Sequence, residues 1–422
     1  MGLKVLLLGF NVQSDVFPLG LSYLKSYALG FHPDVAIDIR EFSFGNRYNY
    51  ETNKTVELAA LSYVALSKPD VVAFSSYIWS SEMVLDFARA IKRINPQIKV
   101  VVGGVEAGAV LLTCDIDFVL AGEGEIAFKE LLDYFKDERE LMDVSNVIYR
   151  QKGEIAKGKE NIITHLDEIV FPYRLSGKRD YAVVRIETAR GCQFDCAFCY
   201  YAQPKLRYYS LDYLRENIVF LFEHYTFSHL TILDANFNGN KDRMRKILEL
   251  ISENCLRHAR KISVHMEMRP ELIDKATVDF LAGCSFAVSI ELGLQSTDKA
   301  VLKAVNRPTQ LEKVKEALVL LDSSGLNYKI DLMYGLPGDT FFKFLISARF
   351  VLEQAKRQQK LVAHHFMLLN NTQLAGHAGI ERFSQNSSSM VIKTVTQDIF
   401  ELYKTKLFVD MLNEELKVGK GK

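Results

Sequence analysis

The chain reads as α/β: a doubly wound parallel sheet, then a partial (β/α)6 barrel, then a short helical C-terminal segment. Three observations carry that reading. Short apolar runs alternate with helical periodicity over residues 1–145. Six more strand-like runs, each trailed by a helical pattern, fill residues 181–370. The polar stretch 146–180 lacks sustained periodicity and reads as a linker, and 371–422 returns to helical spacing.

In the first region the strands are Lys4–Phe10, Ala36–Phe42, Val71–Ser75, Lys99–Val102 and Phe118–Ala121. Between the third and fourth, Val84, Phe87, Ala88 and Ile91 fall at i, i+3, i+4, i+7, one buried helix face. Strands separated by helices imply βαβ units, and such sheets bind ligands beyond their C-terminal strand ends. The unusual residues gather there: Ser75-Ser76-Tyr77-Ile-Trp79, Gly103-Gly104 and Gly122-Glu123-Gly124-Glu125. Each could be a tight βα turn; three in register read as a binding edge, because glycine admits close backbone approach. No G-x-G-x-x-G follows the first strand, which argues against a dinucleotide.

The linker holds a hairpin pattern, Val147–Arg150 then Glu154-Ile155. The barrel strands are Tyr181–Glu187, His229–Leu233, Lys261–Met266, Phe286–Leu292, Asn327–Met333 and Leu361–Leu368. Leu211, Leu214, Ile218 and Phe222 mark one following helix; Met244, Ile247, Leu248 and Ile251 mark the next. In βα barrels the active site lies at the C-terminal strand ends. In the tail, Ile399, Leu402, Tyr403, Leu407 and Met411 read as the packed face of a capping helix.

The first barrel strand runs into Thr188-Ala-Arg-Gly-Cys192-Gln-Phe-Asp-Cys196-Ala-Phe-Cys199-Tyr200-Tyr201. Three of six cysteines thus fall within eight residues. Iron–sulfur clusters are held by cysteines in short runs of this kind, usually four. Here there are three, so a cubane would keep one iron open. Structural zinc, the alternative, wants a second pair of ligands, and none is visible.

Lysine plus arginine equals aspartate plus glutamate, 52 each, so no global basic field favours nucleic acid. No run approaches the ~18 apolar residues of a membrane span. The opening Lys4–Phe10 is too short for a signal peptide, and clustered thiols suit a reducing cytoplasm. The only biased tracts are Ser387–Ser389 and the basic end Lys417–Lys422.

The cysteine run resembles the cluster loop of the radical S-adenosylmethionine (radical SAM) superfamily, C-x3-C-x-aromatic-C, with Phe198 at the aromatic position. The resemblance implies a [4Fe-4S] cluster on Cys192, Cys196 and Cys199, whose open iron binds SAM, and cleavage of SAM to a 5′-deoxyadenosyl radical. It also implies SAM contacts from Phe198, Tyr200, Glu267, Arg269, Glu291, Gln295, Gly335, Pro337 and Gly338 at the strand ends. Glu267, Arg269 and Glu291 could equally form internal ion pairs. The family's Gly-Gly-Glu segment after the second strand is replaced here by Asp234-Ala-Asn-Phe-Asn238.

The first region resembles the cobalamin-binding domain that precedes many radical SAM cores, through Pro18–Leu24, Asp70–Ser75, Val102-Gly103-Gly104 and Ala121–Glu125. That implies cobalamin along Ser75, Ser76, Tyr77, Trp79, Gly103, Gly104, Gly122, Glu123 and Gly124. The D-x-H-x-x-G signature is absent, so no histidine is expected on cobalt; His32 and His165 lack its context. The whole resemblance implies a methyltransferase. One SAM methylates cobalamin, a second gives the radical that abstracts hydrogen, and methyl is delivered to the resulting carbon radical. Rearrangement or cyclisation without methyl transfer is the rival chemistry, and a non-catalytic metal-binding protein a further one. A reductase, flavodoxin or ferredoxin would supply electrons to the cluster. The substrate would be a small molecule or peptide, with nucleic acid and membrane disfavoured. A β-branched residue at Gly104 is expected to block the cobalamin tail while the sheet still folds.

Overall fold

The computed structural model describes residues 2–12, 16–44, 50–108, 111–177, 180–202, 205–355, 361–384 and 388–418. Residues 419–422 of the basic end and part of the Ser387–Ser389 tract lie outside them. The chain divides into two compact units, one built on Met1–Arg179 and one starting at Asp180.

In the first unit β1 (Lys4–Asn11), β2 (Ala36–Ser43), β3 (Val71–Ser75), β4 (Lys99–Gly103) and β5 (Phe118–Leu120) form a parallel sheet. Its order is β2-β1-β3-β4-β5. Successive side chains of a strand point to opposite faces, and both faces are apolar here. Leu6, Leu8 and Phe10 pack with Val84, Phe87, Ala88 and Ile91 of the helix Ser81–Ile94. Val5 and Leu7 pack with Leu21, Ala28, Phe128 and Leu131 of the helices Leu19–Leu29 and Gly124–Phe135. Helices on both faces make the sheet doubly wound, as expected.

The expected linker is corrected. Its hairpin, β6 (Val147–Gln151) and β7 (Glu154–Lys157), extends the sheet antiparallel beyond β5. Ile148 enters one core and Val147 and Tyr149 the other. Alternation too short to announce a strand is completed by pairing with β5, which the local sequence does not record.

The second unit is a six-stranded parallel sheet: β8 (Val183–Ile186), β11 (His229–Ile232), β12 (Ser263–Met268), β13 (Ala287–Gln295), β14 (Asn327–Tyr334) and β15 (Leu361–His365). A short antiparallel ladder, β9 (Ala189–Arg190) with β10 (Arg207–Tyr208), brackets the cysteine run. Val264, Met266, Ile290, Leu292, Ile330 and Leu332 are buried, while the alternate residues His265, Glu267, Ser289, Glu291 and Lys329 are at least partly open. One sheet face is therefore apolar and the other, lining the barrel lumen, is charged.

The tail differs from expectation in two ways. A hairpin, β16 (Glu381–Ser384) with β17 (Ser388–Lys393), precedes its helix, Ile399–Val418. That helix packs through Leu402, Thr405 and Val409, with Phe408 against the rings of Phe341 and Phe344. Ile399, Tyr403, Leu407 and Met411 are exposed. Periodicity locates a helix face, but Leu402 shares both stripes, and the choice between them belongs to the neighbours.

Candidate active site

Gly191 takes a positive φ of 82° as the chain turns from β9 into the cysteine run. The following loop rests on an apolar bed of Ala197, Val301, Val305, Leu336 and Phe366, with Phe198 against its margin. Backbone bonds fasten it on both sides: the Ala197 amide donates to Val305 (2.9 Å), and the Leu374 amide donates to the Ala197 carbonyl (3.3 Å). Asn306 Nδ2 donates to the Asp195 carbonyl at 2.7 Å, and Gln373 Nε2 donates to the Asp195 carboxylate. The three cysteines thus sit on a loop held from segments over a hundred residues away. Tyr200 begins a single 3-10 turn just past them.

Cys196 is buried and accepts a hydrogen bond from Arg307 Nη1 at 3.4 Å, while Arg307 Nη2 donates to the Gly293 carbonyl on β13. Burial pushes the Cys192 thiol up and the Cys199 thiol up to about 11. Thiols so hindered from ionising alone need a bound cation to draw the protons off. Among the described residues the only three ligand groups close enough to share one ion are His32, Asp133 and Glu138. Structural zinc takes four ligands, and the cysteine run offers three.

The other cysteines are elsewhere. Cys255 lies near the end of the helix Lys241–Arg257 and Cys284 just before β13, both at the N-terminal edge of the sheet, opposite the loop. Cys114 is exposed in the first unit.

The lumen holds two of the other expected residues, Glu267 and Glu291. Glu267, Glu291 and Lys329 are register partners on β12, β13 and β14. Glu291 pairs with Lys329 Nζ at 2.5 Å and His265 Nε2 at 3.3 Å. Burial opposes its charge, but these partners and Asp331 hold it well below the usual carboxylate range. Glu291 thus makes the internal ion pairs that were one of the two roles open to it. Glu267 faces the open lumen, and desolvation by the surrounding wall, with Glu291 beside it, pushes its carboxyl up to about 7. Of the adjacent histidines, His364 turns inward to Asp331 (3.5 Å), while His365 stacks on Tyr334.

At the strand ends, Arg269 is buried, donating to Glu271 and the Pro308 carbonyl, with its guanidinium 3.8 Å over the Phe194 ring of the cysteine loop. Gln295 ends β13 at φ 70°, with its Oε1 buried and without a partner. Gly335 and Gly338 flank Pro337 in the turn after β14, at φ 85° and 80°. A Cβ at Gly335 would meet Leu402 at 2.9 Å, whereas Gly338 opens on empty space. Asp234, in place of the expected Gly-Gly-Glu, accepts from the Thr188 and Ala189 amides at 2.7 and 3.1 Å. Burial raises it to about 6 despite those bonds. The sequence marked Asp234 only as a departure from the family's segment, and Arg307 not at all. Each acts through contacts made far along the chain, which leave no periodic or spacing signal.

In the first unit Ser75 and Gly103 are register partners at the C-terminal edge. The Ser76 amide donates to Gly103 at 2.7 Å, and the Ser76 hydroxyl is fully buried with no hydrogen-bond partner among the described residues. Tyr77 and Trp79 stack at 4.7 Å, with the indole N–H on the Phe10 carbonyl. Gly122 has open space around it, and Glu123 precedes the helix Gly124–Phe135.

Two expectations change here. A Cβ on Gly124 would strike Leu24 at 2.9 Å, so this glycine serves helix packing. At Gly104, φ is 103° and a Cβ would lie 2.6 Å from the Ser76 carbonyl, so any side chain there disturbs the turn itself, contrary to the expectation that the sheet would fold unperturbed. His32 is bonded to Asp133 (2.8 Å) between α-helix and β2, at the edge opposite the glycines, and His165 is exposed.

A family model for the radical SAM superfamily matches residues 186–351, and one for the B12 binding domain matches residues 5–132. The chain combines a radical SAM superfamily domain with a B12 binding domain. The cofactors expected of such a chain are a [4Fe-4S] cluster, SAM and cobalamin. The donor set agrees with them. Three soft thiolates suit a cluster, the orphaned Gln295 oxygen lies at the sheet edge nearest it, and the Gly103–Gly104 edge with the orphaned Ser76 hydroxyl suits a close-lying polar ligand.

An uncharacterized methyltransferase of Pyrococcus horikoshii is 25% identical over 76% of this chain and 70% of its own. The 2-(S-pantetheinyl)-carbapenam-3-carboxylate methyltransferase of Streptantibioticus cattleyicolor is 27% identical over 88% of this chain and 56% of its own. The solved cobalamin-dependent SAM radical enzyme OxsB superposes with a TM-score of 0.74 at 15% identity, covering 96% of this chain and 66% of its own. The chain thus spans between about half and about 70% of these proteins' lengths.

Proposed function

We propose that the enzyme transfers a methyl group from SAM, by way of cobalamin, to an unactivated carbon of a small-molecule substrate. The observation that carries this reading is the three-cysteine loop, anchored through buried Cys196 at the C-terminal edge of the six-stranded sheet, in a chain that also has a B12 binding domain. When bound, the cofactors supply a one-electron cleavage of SAM, a hydrogen-abstracting 5′-deoxyadenosyl radical and a cobalt-borne methyl group.

The protein's part is to hold, orient and exclude. Cys192, Cys196 and Cys199 would ligate the cluster, with Arg307 offsetting the charge on Cys196. Gln295, with its unpartnered oxygen, would take a hydroxyl of SAM. Glu267 would accept the SAM ammonium. Phe198, Tyr200 and the Gly335–Pro337–Gly338 turn would shape the same pocket, and Arg269 would hold the loop through Phe194. In the first unit Ser75, Ser76, Gly103, Gly104 and Gly122 would admit the cobalamin tail, with Tyr77 and Trp79 as an aromatic wall.

The test is anaerobic incubation with SAM, a reductant, cobalamin and candidate small molecules, followed by mass spectrometry. Equal accumulation of 5′-deoxyadenosine and S-adenosylhomocysteine with a methylated product is expected. 5′-Deoxyadenosine alone would replace methyl transfer by rearrangement or cyclisation; neither product, with iron bound, would leave a metal-binding protein.

A further inference from the structure

The β9–β10 ladder contains an arrangement that costs stability. Arg190 and Arg207 are directly opposite one another across it, and like charges so placed are destabilising. Arg190 is compensated by Glu187 at 3.0 Å. The Arg207 Nε donates to the Lys205 carbonyl at 3.1 Å. Next to the ladder, Arg243 donates to the Thr188 and Tyr209 carbonyls and lies 4.8 Å over the Tyr208 ring. Lys205 is exposed, as is Lys246, one helical turn beyond Arg243. Arg190, Lys205, Arg207, Arg243 and Lys246 thus gather on these segments, against Glu187, the buried Asp234 and the exposed Asp212 and Asp242, in a chain whose net charge is zero.

The patch also lies close to the redox centre. One cavity is lined by Gly191, Cys192, Leu206, Tyr208 and Arg243 together. Tyr208 is 41% exposed, so a ring open to solvent shares a wall with a cluster ligand. Elsewhere the loop rests on its apolar bed and on the Asp195 contacts.

We infer that this face docks an acidic one-electron carrier protein of the flavodoxin type, guided by Lys205, Arg207 and Lys246 and passing its electron beside Tyr208. The inference rests on the radical SAM reading and adds where its reductant binds. In the transfer one electron leaves the carrier's reduced flavin and ends on the cluster; no bond between the proteins is made or broken. Opposed charges on two proteins chiefly raise the association rate and make it fall with salt.

The experiment compares iron- and sulfide-reconstituted full-length protein with the Lys205→Glu/Arg207→Glu/Lys246→Glu variant, by anaerobic stopped-flow mixing with fully reduced flavodoxin. Bleaching of the cluster absorbance is followed at low and high salt. The variant should be reduced about tenfold more slowly at low salt, and the difference should shrink as salt screens the charges. Its iron content and its reduction by dithionite should match wild type, and Lys152→Glu in the first unit should change nothing. An unchanged flavodoxin rate and salt dependence would overturn the docking face. So would a parallel loss of dithionite reduction or iron, which would assign these residues to the cluster's own surroundings. A wild-type protein that dithionite cannot reduce would instead defeat the radical SAM reading.

Discussion

The glycines at the C-terminal edge of the first sheet offer a graded test, because the structure treats them differently. At Gly104 the backbone has φ 103°, which costs a residue with a side chain about 1–3 kcal/mol. A Cβ would also lie 2.6 Å from the Ser76 carbonyl and 2.9 Å from its nitrogen. Restoring an ordinary 3.4 Å contact requires the Ser76 segment to move by about 0.8 Å. That motion breaks the 2.7 Å bond from its amide to Gly103, a further loss of about 1 kcal/mol. Gly104→Ala should therefore destabilise the unit by about 3–5 kcal/mol, summing these with mild overpacking. Gly122→Ala, left-handed but in open space, should cost about 1–2 kcal/mol. Gly103→Ala, whose nearest neighbour would be 3.8 Å away, should stay within about 0.5 kcal/mol. Trp79 is the only tryptophan of the chain and lies in this unit, so its emission during urea unfolding follows this unit alone. A Gly104→Ala midpoint as close to wild type as that of Gly103→Ala would refute the steric argument.

Replacing Cys192, Cys196 or Cys199 with alanine should abolish bound iron after reconstitution, while Cys255→Ala and Cys284→Ala should retain it; iron analysis decides, and loss in Cys255→Ala would break the three-ligand assignment. Asp234 titrates near 6 when folded against about 3.8 when unfolded. Between those values only the unfolded state is ionised, so its contribution to stability is full below pH 4 and is lost as pH rises through 6. The loss is up to about 3 kcal/mol. Asp234→Asn should flatten that segment of the pH–stability curve, and an unchanged slope would dismiss the titration. His32→Ala and His165→Ala should leave the visible spectrum of bound cobalamin unaltered, although His32→Ala should lower stability by leaving Asp133 with a lost buried partner; a shifted corrin band in either would point to a histidine on cobalt.

Much of this was legible because it is local. The cysteine run carries its own spacing, and the strand-and-helix alternation is written in the periods of Val84–Ile91 and Leu211–Phe222. What was not legible depends on pairing across the chain. Arg307 reaches Cys196 over 111 positions, and nothing in Asn306-Arg307-Pro308 announces it. The ion pair of Glu291 depends on the register that sets Lys329 beside it, which the local sequence does not carry. Gly104 and Gly124 look alike in sequence, yet one is confined by a neighbouring turn and the other by Leu24. The tail stripe was found in the right helix on the wrong side, because Leu402 belongs to both faces.

The β6–β7 hairpin has a practical consequence for cutting the chain. A fragment ending at residue 145, where periodicity fades, would strip β5 of its antiparallel partner and leave a row of unpaired amides and carbonyls along three apolar residues, Phe118–Leu120. Such an edge is a template on which copies pair with one another. A fragment carried to residue 179 keeps the edge covered, and its outermost strand, Glu154–Lys157, presents charges at both ends. Yield of soluble monomer from the two fragments would therefore be decided by the eleven residues from Val147 to Lys157.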